Sequence, residues 1–200
     1  MNCPFVVFEG VDGAGKTEIS TLVAKKLKGL HLESPTGRFR ELRKYVDDNL
    51  CDNGRFHFYL ASSYELSNKV DESKSSYPAI ICARYVHSTI IGYASRQNIN
   101  IENAYETILG EFNGIGQPDL TIFLDVDLDA QRLRITSRAD NVNTKNDYMC
   151  LTNDIYQKRL SDNYRYVQKK ENWRYIDTSA KTIDEVVDLS VELINGIRFK

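Results

Sequence analysis

Residues 10–17 read Gly-Val-Asp-Gly-Ala-Gly-Lys-Thr, a glycine, four residues, and then Gly-Lys-Thr. The apolar run Phe5-Val6-Val7-Phe8 leads in, and an amphipathic pattern follows. A strand that turns through such a loop into a helix makes a phosphate cradle. Its glycines let successive N–H groups point inward, and the helix N-terminus adds roughly half a positive charge. The cradle comprises Gly10, Asp12, Gly13, Ala14, Gly15, Lys16 and Thr17. Within it, Lys16 is placed to reach the β- and γ-phosphates of ATP, and the Thr17 hydroxyl to hold Mg²⁺. The motif therefore demands a strand–turn–helix unit, and the rest of the chain has to be compatible with one.

It is, because helical and strand signals alternate from end to end, the pattern of an α/β fold with a largely parallel sheet. Ile19, Leu22, Val23 and Leu27 share one face of the first helix, which Gly29 is expected to end. Leu30-His31-Leu32 is a short strand candidate, and Pro35 and Gly37 punctuate the loop after it. Helical patterns cover 38–50 and 55–74, and the apolar run 79–83 reads as a buried strand. Two more helices are expected over 86–97 and 101–113, a strand over 120–126, and a helix over 128–137. The polar stretch 139–147 reads as an exposed loop and 148–170 as one long helix. A strand at 174–176 and a helix through Ile183, Val186, Val187, Val191 and Ile194 complete the chain. With 200 residues, no linker and no repeat, one domain spanning 1–200 is expected.

The net charge of −2 gives no global basic field for nucleic acid, so phosphate affinity must come from local arginines. Cys3, Cys51, Cys82 and Cys150 form no C-x-x-C pair and read as reduced, buried or half-buried thiols. His31, His57 and His87 lack metal-site spacing. No signal peptide and no apolar run near 20 residues is evident, so a soluble cytoplasmic protein without membrane association is expected.

Further segments, in order and at familiar spacing, carry a resemblance. They are 8–17; Pro35 with Gly37 and Arg38; Ala83-Arg84-Tyr85 with Ser88 and Gly92-Tyr93; 118–126; and 172–177. Together they resemble the thymidylate kinase family of nucleoside monophosphate kinases over nearly the whole chain. The resemblance implies a three-layer P-loop NTPase fold with a five-stranded parallel sheet in the order 2-3-1-4-5, a mobile lid near 138–148 and a homodimer. It also implies Mg²⁺-dependent phosphoryl transfer from ATP to a nucleoside 5′-monophosphate, dTMP foremost. Such an acceptor is already ionised, so the protein must align two polyanions and neutralise their repulsion rather than remove a proton.

Residue roles follow from the same resemblance. Asp12 faces the acceptor sugar and lies near the metal. Arg84, beyond a buried strand, has a planar fork suited to bridging donor and acceptor phosphates. Arg38 either holds the acceptor phosphate or is a plain surface arginine. Tyr59 either lies against the acceptor base or fills the core, and Tyr93 either packs on the sugar or does the same. Among Arg132, Arg134 and Arg138, the last is the expected charge-stabilising lid residue and Arg134 the one against adenine. Catalysis is thus assigned to Lys16, Arg84 and Arg138, with Arg38, Tyr59, Tyr93, Asp12 and Arg84 on the acceptor.

Three features depart from the family pattern. Ala83 replaces the Asp before Arg84, Ser63 stands where an acceptor-gripping Arg is usual, and Asp140, Asn141 and Lys145 replace the lid's Arg-x-Glu. They leave two other functions open. One is a deoxynucleoside kinase using Glu9, directly after the first strand, as base for a 5′-hydroxyl. The other is a nucleotide-binding protein without catalysis.

Overall fold

A computed structural model of the chain describes residues 3–111, 114–137 and 145–198. Five parallel strands form its centre: β1 Phe5–Glu9, β2 Leu30–Glu33, β3 Ile80–Ala83, β4 Leu120–Asp125 and β5 Arg174–Asp177, in the order β2-β3-β1-β4-β5. The helices between them are α1 Lys16–Leu27, α2 Gly37–Asn49, α3 Asp52–Ser73, α4 Val86–Gln97, α5 Ile101–Glu111, α6 Leu128–Thr136, α7 Lys145–Thr152, α8 Asp154–Lys170 and α9 Ile183–Arg198. The strand order is the one the resemblance implied.

Every residue of β1, β3 and β4 is buried, as expected of apolar runs covered by helices on both faces. The edge strands β2 and β5 are only partly covered. Val6 pairs with Ile81 on one side and Leu120 on the other, so the carboxyl ends of β1, β3 and β4 come to one edge. Ligands of an open parallel sheet bind beyond that edge. The phosphate loop leaves from β1 and Arg84 from β3, so topology alone brings them together.

Some boundaries differ from the sequence expectation, each for a local reason. Lys28, not Gly29, takes the left-handed conformation that ends α1, with φ 54°. Gly29 is needed for a close approach, since a Cβ there would stand 2.6 Å from the Ala79 carbonyl oxygen. The expected long helix over 148–170 is two helices. Asn153 separates them and caps α8 by accepting a hydrogen bond from Tyr156 N at 2.9 Å. The polar stretch begins its helix at Lys145, three residues before 148. Residues 138–144, which include Arg138, Asp140 and Asn141 and most of the expected lid, lie outside the described residues. Cys82 and Cys150 are buried and Cys3 half-buried, but Cys51 is exposed at the start of α3. Among the described residues, no helix is long and apolar enough to cross a membrane.

Candidate active site

The loop is shaped by glycines at positive φ, a backbone region that L side chains rarely adopt. Gly10 has φ 147°, and a Cβ there would stand 2.2 Å from the Leu124 carbonyl oxygen. Gly13, at φ 87°, lies under α6, with Gln131 atoms 3.1 Å from where its Cβ would be. Gly15 starts α1 at φ 88° without a side-chain cap, so the helix's first N–H groups and its dipole face the loop. The buried Lys16 ammonium donates to the Val11 carbonyl at 2.5 Å, and Thr17 is exposed beside it. Gln131, which the sequence did not single out, anchors the loop by donating to the Asp12 carbonyl at 2.7 Å.

Arg84 meets the loop directly. Its guanidinium is paired with the Asp12 carboxylate, and its own φ is 67°. Burial raises the Asp12 pKa, but the Arg84 and Lys16 charges outweigh it and hold the carboxyl well below the usual range. Arg84 is correspondingly raised, Asp12 overcoming its own desolvation. Ala83 is the last residue of β3 and 2% exposed. A methyl there cannot orient Arg84. Asp12 does so from the loop, helped by the Arg84 N–H bond to the Phe8 carbonyl at 3.0 Å.

Glu9 is fully buried and accepts from Tyr85 N at 3.0 Å, Ser88 N at 3.2 Å and the Ser88 hydroxyl. It caps α4 from the neighbouring strand, doing what α4's own N-cap residue Tyr85 does not. Burial pushes its pKa up despite these bonds. Both oxygens are committed to the start of α4, a structural duty in place of the base role considered for it.

An open cleft lies between the loop, α2, α3, α4 and α8. Four arginines line it: Arg43, Arg55, Arg84 and Arg96. Arg55 is 1% exposed and bonds Asp47 through Nη2 at 3.0 Å and Nε at 3.2 Å. Arg96 Nε stands 3.1 Å from Asp52 Oδ1, and Arg43 Nε 3.5 Å from Asp47 Oδ2. Tyr59 also lines the cavity, its hydroxyl donating to Asp47 at 2.9 Å, and burial raises its pKa to about 12. Tyr156, Leu160 and Tyr164 of α8 form the facing wall, one helical turn apart.

The other sequence candidates fall elsewhere. Arg38 is exposed on α2 and outside this lining. Tyr93 packs on Phe56 at 4.6 Å and bonds Asn53, while its neighbour Gly92 faces the cavity. Ser63 is buried and turned to the Tyr59 carbonyl at 3.0 Å. Arg132 pairs with Asp154. Arg134 crosses to the β5–α9 turn, donating to the Thr178 hydroxyl at 2.9 Å and carbonyl at 2.5 Å, and reaches Gly13 O at 3.4 Å. It thereby lines a second, mostly apolar cleft with Ala14, Gly15, Ile19, Thr182 and Val186. That cleft adjoins the loop at Ala14 and Gly15.

Arg43, Arg55 and Arg96 were missed because each belongs to a separate helix. A signal for Arg96 was available. Ser88, Gly92 and Arg96 recur at i, i+4 and i+8, one small or polar stripe on an otherwise apolar helix.

The family model for thymidylate kinase matches residues 8–189. A probable thymidylate kinase of Methanococcus maripaludis is 30% identical, covering 96% of this chain and 94% of its own. A thymidylate kinase of Staphylococcus epidermidis is 28% identical, covering 95% and 96%. Among solved structures, the Candida albicans thymidylate kinase shares the fold at TM-score 0.79 and 20% identity, over 98% of this chain and 93% of that one. The Ehrlichia chaffeensis thymidylate kinase does so at TM-score 0.71 and 21% identity, over 97% and 100%. With its loop, sheet order and paired-arginine cavity, this chain belongs to the thymidylate kinase family and is a nucleoside monophosphate kinase.

Proposed function

We propose that the chain transfers the γ-phosphoryl group of Mg²⁺-ATP to dTMP, giving dTDP and ADP. One observation carries this: Arg84, held by Asp12, stands where the phosphate loop meets the arginine-lined cavity. ATP lies with its base in the cavity under Arg134 and its phosphates in the loop; the acceptor lies between α3, α4 and α8. Four arginines gather there beside Asp12, Asp47 and Asp52, and guanidinium forks suit the oxygens of a monophosphate better than an uncharged nucleoside.

In this arrangement the acceptor phosphate oxygen attacks in line without a base. Lys16, the α1 N-terminus and Arg84 stabilise the charge spreading over the transferred group. Arg138 is the lid arginine proposed to add to them. Arg38 and Tyr93 are proposed as peripheral acceptor contacts.

The loop's hard oxygen donors fit Mg²⁺. Thr17 is exposed and Asp12 half-buried in the loop, and no group of three or more metal-ligating side chains gathers among the described residues. Thr17 and Asp12 would hold the ion, which when bound would supply positive charge against the phosphate oxygens. A homodimer is part of the proposal, tested by light scattering.

A coupled assay with Mg²⁺-ATP against thymidine, dTMP, dUMP and dCMP is the test. Turnover of dTMP is expected; turnover of thymidine alone overturns the proposal. Lys16→Ala should lower kcat by at least about 10²-fold with the circular dichroism spectrum unchanged. Near-normal activity in that variant rules out the cradle.

A further inference from the structure

Another cleft lies at the far end of the sheet from the phosphate loop. Residues 117–121 lead into β4 and 171–174 into β5, so it sits beyond the amino ends of those strands. Among the described residues, none lines both this cleft and the arginine-lined one. The chain after Arg84 turns back over the sheet to reach it. Tyr85 packs edge-on against Phe5, the first residue of β1, at 5.3 Å, and His87 lines the cleft.

His87 and Thr121 are its buried polar members, 3% and 6% exposed, while Gln117 and Asn172 are exposed at its mouth. The His87 ring is held in place. It stacks on Tyr105 at 5.9 Å and 21°, and meets Trp173 edge-on at 5.0 Å and 77°. Its Nδ1 nevertheless has no hydrogen-bond partner among the described residues. Buried polar nitrogens are seldom left unmet, because their desolvation then goes uncompensated. A fixed and unpaired nitrogen on the wall of a cleft is a point for a ligand to bond.

The surrounding groups define the chemistry of that ligand. Burial lowers the His87 pKa to about 4, so at pH 7 the neutral ring offers one donor and one acceptor. The Thr121 hydroxyl and the Gln117 and Asn172 carboxamides likewise both donate and accept. Trp173 adds an aromatic wall. Phosphate is poorly matched here, since Arg174 is the one cation of the lining and stands with Asp119 and Glu171. Asp119 is further committed to Phe5 N at 2.7 Å. Uncharged groups of both capacities beside aromatic rings suit a flat heterocycle whose edge carries N–H and C=O together, as a nucleobase does.

We propose that this cleft is a second, non-catalytic ligand site for an uncharged nucleobase or nucleoside, with His87 as its inner hydrogen-bonding group. None of its residues takes part in the phosphoryl transfer proposed above.

Trp173 is the chain's single tryptophan, so its fluorescence reports on this cleft directly. The experiment titrates uracil, adenine and thymidine into the protein, with inorganic phosphate and putrescine as controls. A saturable change in emission is expected with at least one of the three, and none with the controls. His87→Phe retains an aromatic ring and removes both nitrogens. Asn172→Gly suits the left-handed turn at φ 52° and removes the carboxamide. Each should raise the Kd about three- to tenfold, the worth of one neutral hydrogen bond. No response to any of the three, an equal Kd in wild type and both variants, or a response to phosphate or putrescine instead overturns the proposal. If His87→Phe fails to fold, Asn172→Gly at the surface still decides it. Absence of dTMP turnover in the wild type overturns the kinase reading and leaves these titrations intact.

Discussion

Gln131 ties the phosphate loop to α6 and α8, and replacing it should loosen both the fold and the loop. It is 1% exposed, donates to the Asp12 carbonyl at 2.7 Å, and accepts from Gln157 Nε2 at 2.8 Å. Gln157 has a second acceptor in the Ser161 hydroxyl at 3.2 Å. In Gln131→Leu, a change of similar volume, the Asp12 carbonyl loses a partner in a buried place, at about 1–3 kcal/mol. Gln157 keeps Ser161 and loses less, about 0.5–1.5 kcal/mol, so a total near 2–4 kcal/mol is expected. Gln157→Leu strands the Gln131 carbonyl oxygen and takes a donor from the Ser161 hydroxyl, at about 1–3 kcal/mol. In the double variant the two apolar chains face each other, and only the Asp12 carbonyl and the Ser161 hydroxyl lose a donor. Its cost should therefore fall short of the sum of the singles by about 1 kcal/mol or more. Urea unfolding of the four proteins gives this cycle, and ATP calorimetry gives the functional part, roughly tenfold in Kd for each 1.4 kcal/mol diverted to ordering the loop. Additive singles, or Gln131→Leu within about 0.5 kcal/mol of wild type at unchanged ATP affinity, refute the claim that this glutamine organises the loop.

His87 offers a pH test. Burial depresses its pKa from 6.5 to about 4, so the unfolded chain binds the proton more readily between those values. The stabilisation is whole above pH 6.5 and is lost as pH falls towards 4, by up to about 3 kcal/mol. In His87→Leu the urea midpoint should lose that dependence; an identical acid slope in both proteins counts against it. Arg134→Ala removes both bonds to Thr178 from the turn that walls the cavity beneath the loop. ATP affinity should drop about tenfold or more, with dTMP affinity in the absence of ATP unmoved. A parallel loss of both would show that Arg134 acts on the whole domain.

The parallel sheet and the cradle were legible because their physics is local. A glycine-rich turn between an apolar strand and an amphipathic helix has few other solutions, and Gly10 sits where Leu124 leaves no room for a side chain while Gly13 is packed tightly under Gln131. Helix breaks were harder. Asn153 stops α7 and caps α8 through one side-chain bond, which in sequence is a lone polar residue within a helical pattern. Gly29 was given the wrong reason for the right place, since the contact that requires it comes from Ala79, far along the chain. Tyr93 stood next to the residue that matters. One position along α4 turns a side chain by about 100°, from the cavity where Gly92 lies to the Phe56 contact.

The arginine cluster was the least legible part because no segment contains it. Arg43 and Asp47 lie on α2, Asp52 and Arg55 on α3, Arg96 on α4, and Asp12 and Arg84 after β1 and β3. Each pair taken alone reads as an ordinary ion pair, worth little at a surface and often unfavourable when buried. Together they let cations stand in a sheltered cavity, each held by a carboxylate that fixes its direction. Arg84 illustrates the exchange. The neighbouring strand-end position is Ala83, so the aspartate that orients Arg84 comes from the phosphate loop itself. The same carboxylate then links the geometry of the phosphate loop to that of the arginine-lined cavity. Coupling of this kind depends on which helices the sheet order brings together, so it becomes visible only once the chain is folded.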